Sequence, residues 1–316
     1  MTVDLKALRE AFGDRLHENV MLANYVTTRV GGPARAFLAA NHLHELEEFA
    51  SRLWQMGVPF RVLGSGSNVL VSDAGYDGVI LLNRARNVRI DARSTPPTVL
   101  VESGANLSGL ARQVAVRGLA GLEWAATIPG TLGGAVVNNA GAFGGDMAGN
   151  LLLAEILHPI HGRATWTAEQ MGYAYRTSAI KQQENKVLVL TARLKLEQST
   201  PEKVKAQMDA NLEKRRATQP PGATMGSTFK NPPGDYAGRL IEAAGLKGTI
   251  IGGAQISPMH ANFLMNISES ASVVRASAND FWQLIELARN TVKEKFGVQL
   301  ELEIELLGKW THSKRK

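Results

Sequence analysis

Apolar residues recur at helical spacing in "NHLHELEEFASRLWQMG", where Leu43, Leu46, Phe49, Ala50, Leu53 and Trp54 share one face. Asn41 is the expected N-cap and Gly57 the expected stop. Short apolar runs follow as strands: "FRVL", then "VLVSD" after the polar "GSGSN", then "GVILL" and "TVLVE". "NLSGLARQVAVRG" reads as a second amphipathic helix closed by Gly118. After a glycine-rich patch, Ile128 to Gly145, "LLLAEILHPI" and "KVLVLTARLKL" return to strand character.

"PEKVKAQMDANLEKRRATQPPG" is a charged helix that runs into a proline pair, the pattern of a connector between domains. Beyond it the pattern predicts a short helix in "GDYAGRLIEAAG", a strand in "ANFLMN", a long helix over about 278–296 and a strand in "LELEIELLG". Helices and strands mix without strict βαβ alternation, so the expected class is α+β rather than a doubly wound sheet. The expected organisation is an arm over 1–23, a first domain over 24–198 with a break near 83–98, a connector over 199–220, a second domain over 221–308 and a basic tail over 309–316.

Composition narrows the chemistry. The chain has 316 residues, 44% of them hydrophobic, enough for cores in two domains. It has no cysteine, which removes disulfides, thiolate metal sites and cysteine nucleophiles; no metal is expected. The first twenty residues carry acids among the apolar positions and lack the h-region of a secretory signal, and no apolar run reaches membrane-spanning length. A soluble cytoplasmic protein is expected. A net charge of +6 suits an anionic partner. The basic residues are dispersed and aromatics make up only 6%, so phosphorylated small molecules are favoured over nucleic acid.

Two glycine patches flank strand positions: "GSGSNVL" (Gly64 to Leu70) and "IPGTLGGAVVNNAGAFGG" (Ile128 to Gly145). Glycine permits positive φ and lets backbone amides approach an anion, so each patch could form a concave nest for a pyrophosphate. Ser65, Ser67, Asn68 and Thr131 add side-chain donors. The familiar nucleotide fingerprints fail: Val69 stands where the third glycine of G-x-G-x-x-G belongs, and no P-loop pattern occurs.

Three further places could carry chemistry. Arg176 lies in "YRTS", as a surface arginine or as a planar clamp for a carboxylate. In "LELEIELLG" the leucines and Ile304 alternate with Glu301, Glu303 and Glu305, and the alternation alone does not rank the three acids. Ser227 in "GSTFKNP" is either a turn residue or a nucleophile; no G-x-S-x-G elbow occurs in the chain, which weakens the nucleophile.

"VLGSGSNVLVSD" followed by "IPGTLGGAVVNNAGAFGG" resembles the FAD-binding domain of the vanillyl-alcohol-oxidase type. With "TTRVGGPA", "YRTS", "GSTFKNP", "AGRLIEAAGLKG", "GGAQISPMHANFLMN" and "LELEIELLG" in order over about 24–308, the chain resembles the UDP-N-acetylenolpyruvoylglucosamine reductase family. The short spacing from "GGDMA" to "YRTS" resembles the family's second type, without the tyrosine lid loop. The resemblance implies a two-subdomain FAD-binding fold of that type followed by a smaller α+β substrate-binding domain, and a monomer is expected.

 It also implies tightly bound FAD, NADPH as co-substrate, and a UDP-sugar as the other small-molecule partner, with no nucleic acid and no membrane.

The implied reaction has two stages. NADPH reduces FAD and leaves; the enolpyruvyl sugar nucleotide then takes a hydride on one carbon and a proton on its neighbour, giving UDP-N-acetylmuramate for peptidoglycan synthesis. By resemblance, Ser227 is the proton donor, Glu303 its partner and Arg176 the carboxylate clamp. Tyr175, Lys230, Asn231, Lys247 and His260 fall at substrate-binding positions, His260 where some relatives carry glutamine. The FAD positions are Arg29 and the loop Gly64, Ser65, Gly66, Ser67 and Asn68. The second patch adds Ile128, Pro129, Gly130, Thr131, Gly133, Gly134, Asn138 and Gly141. Glu305 stands where relatives usually carry arginine, which leaves that position's role open. Another flavin oxidoreductase of the same superfamily, or a non-catalytic flavin-binding module, is the alternative.

Overall fold

Strand-forming and helix-forming segments fall close to where the apolar pattern puts them, in a computed structural model that describes residues 3–182, 187–268 and 275–310. The tail "SKRK" lies outside the described residues. The chain divides into two compact units, one of residues 1–37, 66–79 and 216–316, the other of 38–65 and 80–215. Both units are discontinuous in sequence, where the pattern suggested continuous blocks.

The second unit is built on a five-stranded antiparallel sheet. Its strands run in the order Gly162–Thr167, Leu151–His158, Leu188–Lys195, Thr98–Glu102, Val88–Asp91. The helix Leu107–Ala115 buries Leu107, Leu110, Ala111 and Val114, the i, i+3, i+4, i+7 stripe, in the core formed with Val99, Val101 and Ala192. Asn106 caps it by accepting the Gly109 amide at 2.7 Å. The helix Leu43–Gln55 also belongs here, and its N-cap is His42, one residue after the expected Asn41. Asn41 instead donates its own amide to the Glu45 carboxylate at 2.7 Å, a bond that closes the turn from outside the helix.

The charged helix Pro201–Thr218 buries only Val204 and Asn211, because its sequence has no apolar stripe. The division between the units falls inside it, after Arg215. Asn211 anchors the helix to its own unit through a 3.2 Å bond to the Glu123 carbonyl.

The first unit carries a four-stranded antiparallel sheet ordered Thr224–Ser227, Phe263–Asn266, Ala254–Ile256, Ile250–Ile251. The helix Ala278–Phe296 covers it and buries Phe281, Trp282, Leu284, Ile285, Ala288 and Val292. Its start is over-determined. Ser277 and Asp280 form a capping box, and the Asp73 carboxylate accepts the Ala278 and Asn279 amides at 2.8 and 2.9 Å. Gly297, in the left-handed region, ends it.

The expected continuous strand in "LELEIELLG" is two short pieces. Leu302 bridges to Phe229 antiparallel, whereas Glu305–Leu307 pairs parallel with Val69–Val71. The chain bends at Glu303 and Ile304 as it changes partner. The antiparallel sheets and separate helical covers make the fold α+β, as the sequence predicts.

Candidate active site

Ser227 sits at the end of a strand rather than in a turn. Thr224 opposes Met265 and Ser227 opposes Phe263, so the strand holds one extra residue between these pairs. Gly226 absorbs this bulge at φ +78°, with open space around the position of a Cβ. A bulge of this kind turns the next side chain away from the regular pleat, here that of Ser227. Behind it Phe229 is fully buried, which stabilises the loop by roughly 1.5–3 kcal/mol.

Asn262, which the sequence reading did not single out, fastens this loop. Its side chain accepts the Phe229 amide at 2.9 Å and donates to the Phe229 carbonyl at 2.8 Å. Its own carbonyl accepts the Thr228 amide at 2.8 Å. A buried amide replaces a strand partner on both sides of one residue. A lone asparagine in "HANF" carries no periodic signal that would reveal it.

Glu303 lies one residue along from Ser227 in this pairing. Its amide donates to the Thr228 carbonyl at 2.9 Å, and its carbonyl accepts the Asn68 side-chain amide at 3.2 Å. Of the three acids Glu303 alone is half-buried; Glu301 and Glu305 are exposed. Glu301 pairs with Lys230 at 3.4 Å, and the Glu305 amide donates to the Asn68 carbonyl at 2.9 Å. Asn68 therefore ties the first glycine loop to Glu303 through its side-chain amide and to Glu305 through its backbone carbonyl.

The remaining substrate candidates in this unit have partners of their own. Lys247 pairs with Glu242 at 2.9 Å. The Asn231 side-chain oxygen accepts the Ala237 amide at 3.1 Å, at the start of the helix Ala237–Ala243. His260 packs edge-on against Phe263, with ring centroids 4.9 Å apart, and its Nδ1 accepts the Asn262 amide at 3.2 Å. Burial, and after it the nearby Lys247 charge, holds the His260 pKa below the usual imidazole value. Arg29 is exposed, at φ +57°.

In the other unit Tyr175 and Arg176 form the tip of a two-residue turn, closed by reciprocal 3.2 Å bonds between Ala174 and Thr177. Arg176 has φ +56°, a conformation that costs a non-glycine residue on the order of 1–3 kcal/mol. Its guanidinium donates to the Gly141 carbonyl at 3.0 Å and lies 5.3 Å from the centre of the exposed Tyr175 ring.

Gly64 of the first patch meets the second patch within this unit. A Cβ on Gly64 would lie 2.4 Å from Thr131 Oγ1 and 2.9 Å from its Cγ2, so glycine is required for the two loops to touch. Gly133 is tight against Ser103 in the same way, at 3.0 Å. Two amides of the second patch are taken up within the fold: those of Leu132 and Gly133 donate to the Ala105 and Ser103 carbonyls at 2.9 and 2.7 Å. Close packing explains the glycines at 64 and 133.

Among the described residues, the hydroxyls of Thr28, Thr127, Tyr173 and Thr228 are buried without a hydrogen-bond partner, and each lies in or beside one of the motifs. Burial, with Asp146 nearby, pushes the Tyr173 phenol pKa up, which keeps it a donor.

A model of the C-terminal domain of UDP-N-acetylenolpyruvoylglucosamine reductase matches residues 218–307, and an FAD-binding domain model matches 34–157. The reductase of Chloroflexus aggregans is 41% identical over 95% of this chain and 100% of its own length. The chain belongs to the UDP-N-acetylenolpyruvoylglucosamine reductase family. The Bacillus subtilis member is 38% identical over 96% of this chain and 98% of its own length. The solved reductase of Thermus caldophilus is 34% identical and superimposes with a TM-score of 0.76 over 92% of this chain and 98% of that one. No helix among the described residues is long and apolar enough to cross a membrane.

Proposed function

We propose that this chain reduces the enolpyruvyl group of UDP-N-acetylglucosamine enolpyruvate to UDP-N-acetylmuramate, with FAD as cofactor and NADPH as electron source, as a cytoplasmic monomer in peptidoglycan precursor synthesis. Residues 24–198 hold the cofactor in this reading and 221–308 the substrate. The observation that supports it best is the double tie at Glu303. Backbone and side-chain bonds fasten Glu303 to Thr228, next to Ser227, and to Asn68 of the first glycine loop.

Bound FAD supplies the hydride. Arg29, the loop from Gly64 to Asn68, the loop from Ile128 to Gly134, Asn138 and Gly141 hold it in this reading. Arg176 clamps the substrate carboxylate, where a planar fork stabilises the negative charge that develops as hydride arrives. The Ser227 hydroxyl donates a proton to the adjacent carbon. A serine is a weak acid, but the acceptor is strongly basic and the bulge fixes the donor's position. Glu303 or water returns the proton.

Lys230 and Lys247 bind the diphosphate and uridine part of the substrate. Each now faces a carboxylate that is more than half exposed, Glu301 at 74% and Glu242 at 56%. Such pairs are worth about 0–1 kcal/mol, so a diphosphate competes well for both amines. Asn231 offers its amide nitrogen, since its oxygen caps Ala237. Tyr175 and His260 complete the contacts.

The test is anaerobic sequential mixing followed by flavin absorbance. NADPH should bleach the flavin, and the enolpyruvyl sugar nucleotide should restore its colour. A purified protein that holds no flavin, or a bleached flavin that the substrate does not restore, refutes the proposal.

A further inference from the structure

Arg176 owes its conformation to its surroundings, since a side chain at φ +56° persists only where neighbours hold it. Two of the ties lie beside it. The reciprocal Ala174–Thr177 bonds close the turn, and Asn139 donates to the Ala174 carbonyl at 3.1 Å. A third reaches Arg176 itself. The Lys181 amine donates to the Arg176 carbonyl at 3.4 Å and to Asn138 Oδ1 at 2.6 Å.

Lys181 stands on the one-turn helix Ala179–Gln182, directly after the arginine turn. Ser178 pins the start of that helix, donating to the Val137 carbonyl at 2.6 Å and accepting the Lys181 amide at 3.2 Å. Asn138 is fixed in turn by its bond to the Gly134 carbonyl at 2.9 Å. Lys181 thus bridges the end of the glycine-patch helix Leu132–Asn138 and the backbone of the arginine turn. The arginine side chain returns to the same loop through the Gly141 carbonyl.

We infer that Lys181 is a positioning residue for Arg176. Its half-buried ammonium holds the arginine backbone in the left-handed conformation and so aims the guanidinium. The bond to the Arg176 carbonyl is long, so its value lies in charge assistance and in a fixed geometry rather than in a short contact. The inference rests on the proposed carboxylate-binding role of Arg176, and it adds a residue that touches neither substrate carboxylate nor reacting carbon.

The test uses the flavin-loaded enzyme with Lys181→Met and Lys181→Arg. In Lys181→Met, reduction by NADPH should stay within about twofold of wild type, while reoxidation by the enolpyruvyl substrate slows about tenfold, the scale of one charge-assisted hydrogen bond. Lys181→Arg should recover most of that loss. Hydrogen exchange at the Thr177 amide, measured without substrate, should speed up about tenfold in Lys181→Met and much less in Lys181→Arg. Wild-type reoxidation in Lys181→Met overturns the inference. So does equal slowing of both half-reactions with flavin loss, which would make Lys181 a cofactor or folding residue. A wild-type enzyme that the substrate fails to reoxidise would sink the parent reading alone, and the exchange measurement would still decide whether Lys181 holds the turn.

Discussion

Replacing Gly64 with alanine should separate the two glycine loops. The new Cβ would meet Thr131 at 2.4 Å from Oγ1, 2.9 Å from Cγ2 and 3.2 Å from Cβ. Rotating Thr131 does not relieve the last contact, and a β-branched side chain has few rotamers to try. The backbone must therefore shift, at about 1–3 kcal/mol for overpacking. Thr131 also caps the helix Leu132–Asn138, but its bond to the Gly134 amide is long at 3.5 Å. Loss of that cap adds only about 0.5 kcal/mol, the low end for such caps. Together these give a destabilisation of about 2 kcal/mol for Gly64→Ala, with weaker FAD retention. Thr131→Ala removes the two nearest atoms. In the double variant the penalty should fall short of the sum of the singles by at least about 1 kcal/mol. Urea unfolding followed by tryptophan fluorescence, with flavin content measured in parallel, gives all four corners of the cycle. Additivity within about 0.5 kcal/mol would show that the two loops do not touch as described.

Three further outcomes follow from the same geometry. Asn262→Ala strips the Phe229 amide and carbonyl of their partners in a buried place and should destabilise the protein by about 2–4 kcal/mol in urea unfolding; Asn262→Asp, which keeps only the acceptor, should not restore it. His260 has its folded pKa below the unfolded value of about 6.5, so the unfolded chain takes up the proton first. Stability from this group is therefore full above about pH 6.5 and falls as pH drops from there towards the folded pKa; His260→Gln should flatten that part of a stability–pH curve. Glu303→Gln should slow turnover far more than Glu301→Gln or Glu305→Gln in steady-state assays, and equal effects would defeat the assignment to the half-buried acid.

The long helix was legible in extent, its expected span of about 278–296 matching Ala278–Phe296, and the structure adds the capping box of Ser277 and Asp280 and the Gly297 stop that fix its ends. "LELEIELLG" was legible only in part. Alternation reports which side of a strand is apolar, but not that the chain changes from an antiparallel to a parallel partner at Glu303. The glycine patches were visible, and their packing was not: the pattern does not say that Gly64 faces Thr131 or that the Gly133 amide already has an acceptor. Asn262 and Lys181 escaped for the same reason. Each is a single polar residue whose role depends on what folding brings beside it, with no spacing to announce it.

The central claim, that Ser227 gives a proton instead of attacking, is tested most directly by sequential mixing of Ser227→Ala with NADPH and then with the enolpyruvyl sugar nucleotide. The account predicts that NADPH bleaches the flavin at close to the wild-type rate and that reoxidation by the substrate is blocked. Reoxidation at the wild-type rate would contradict it.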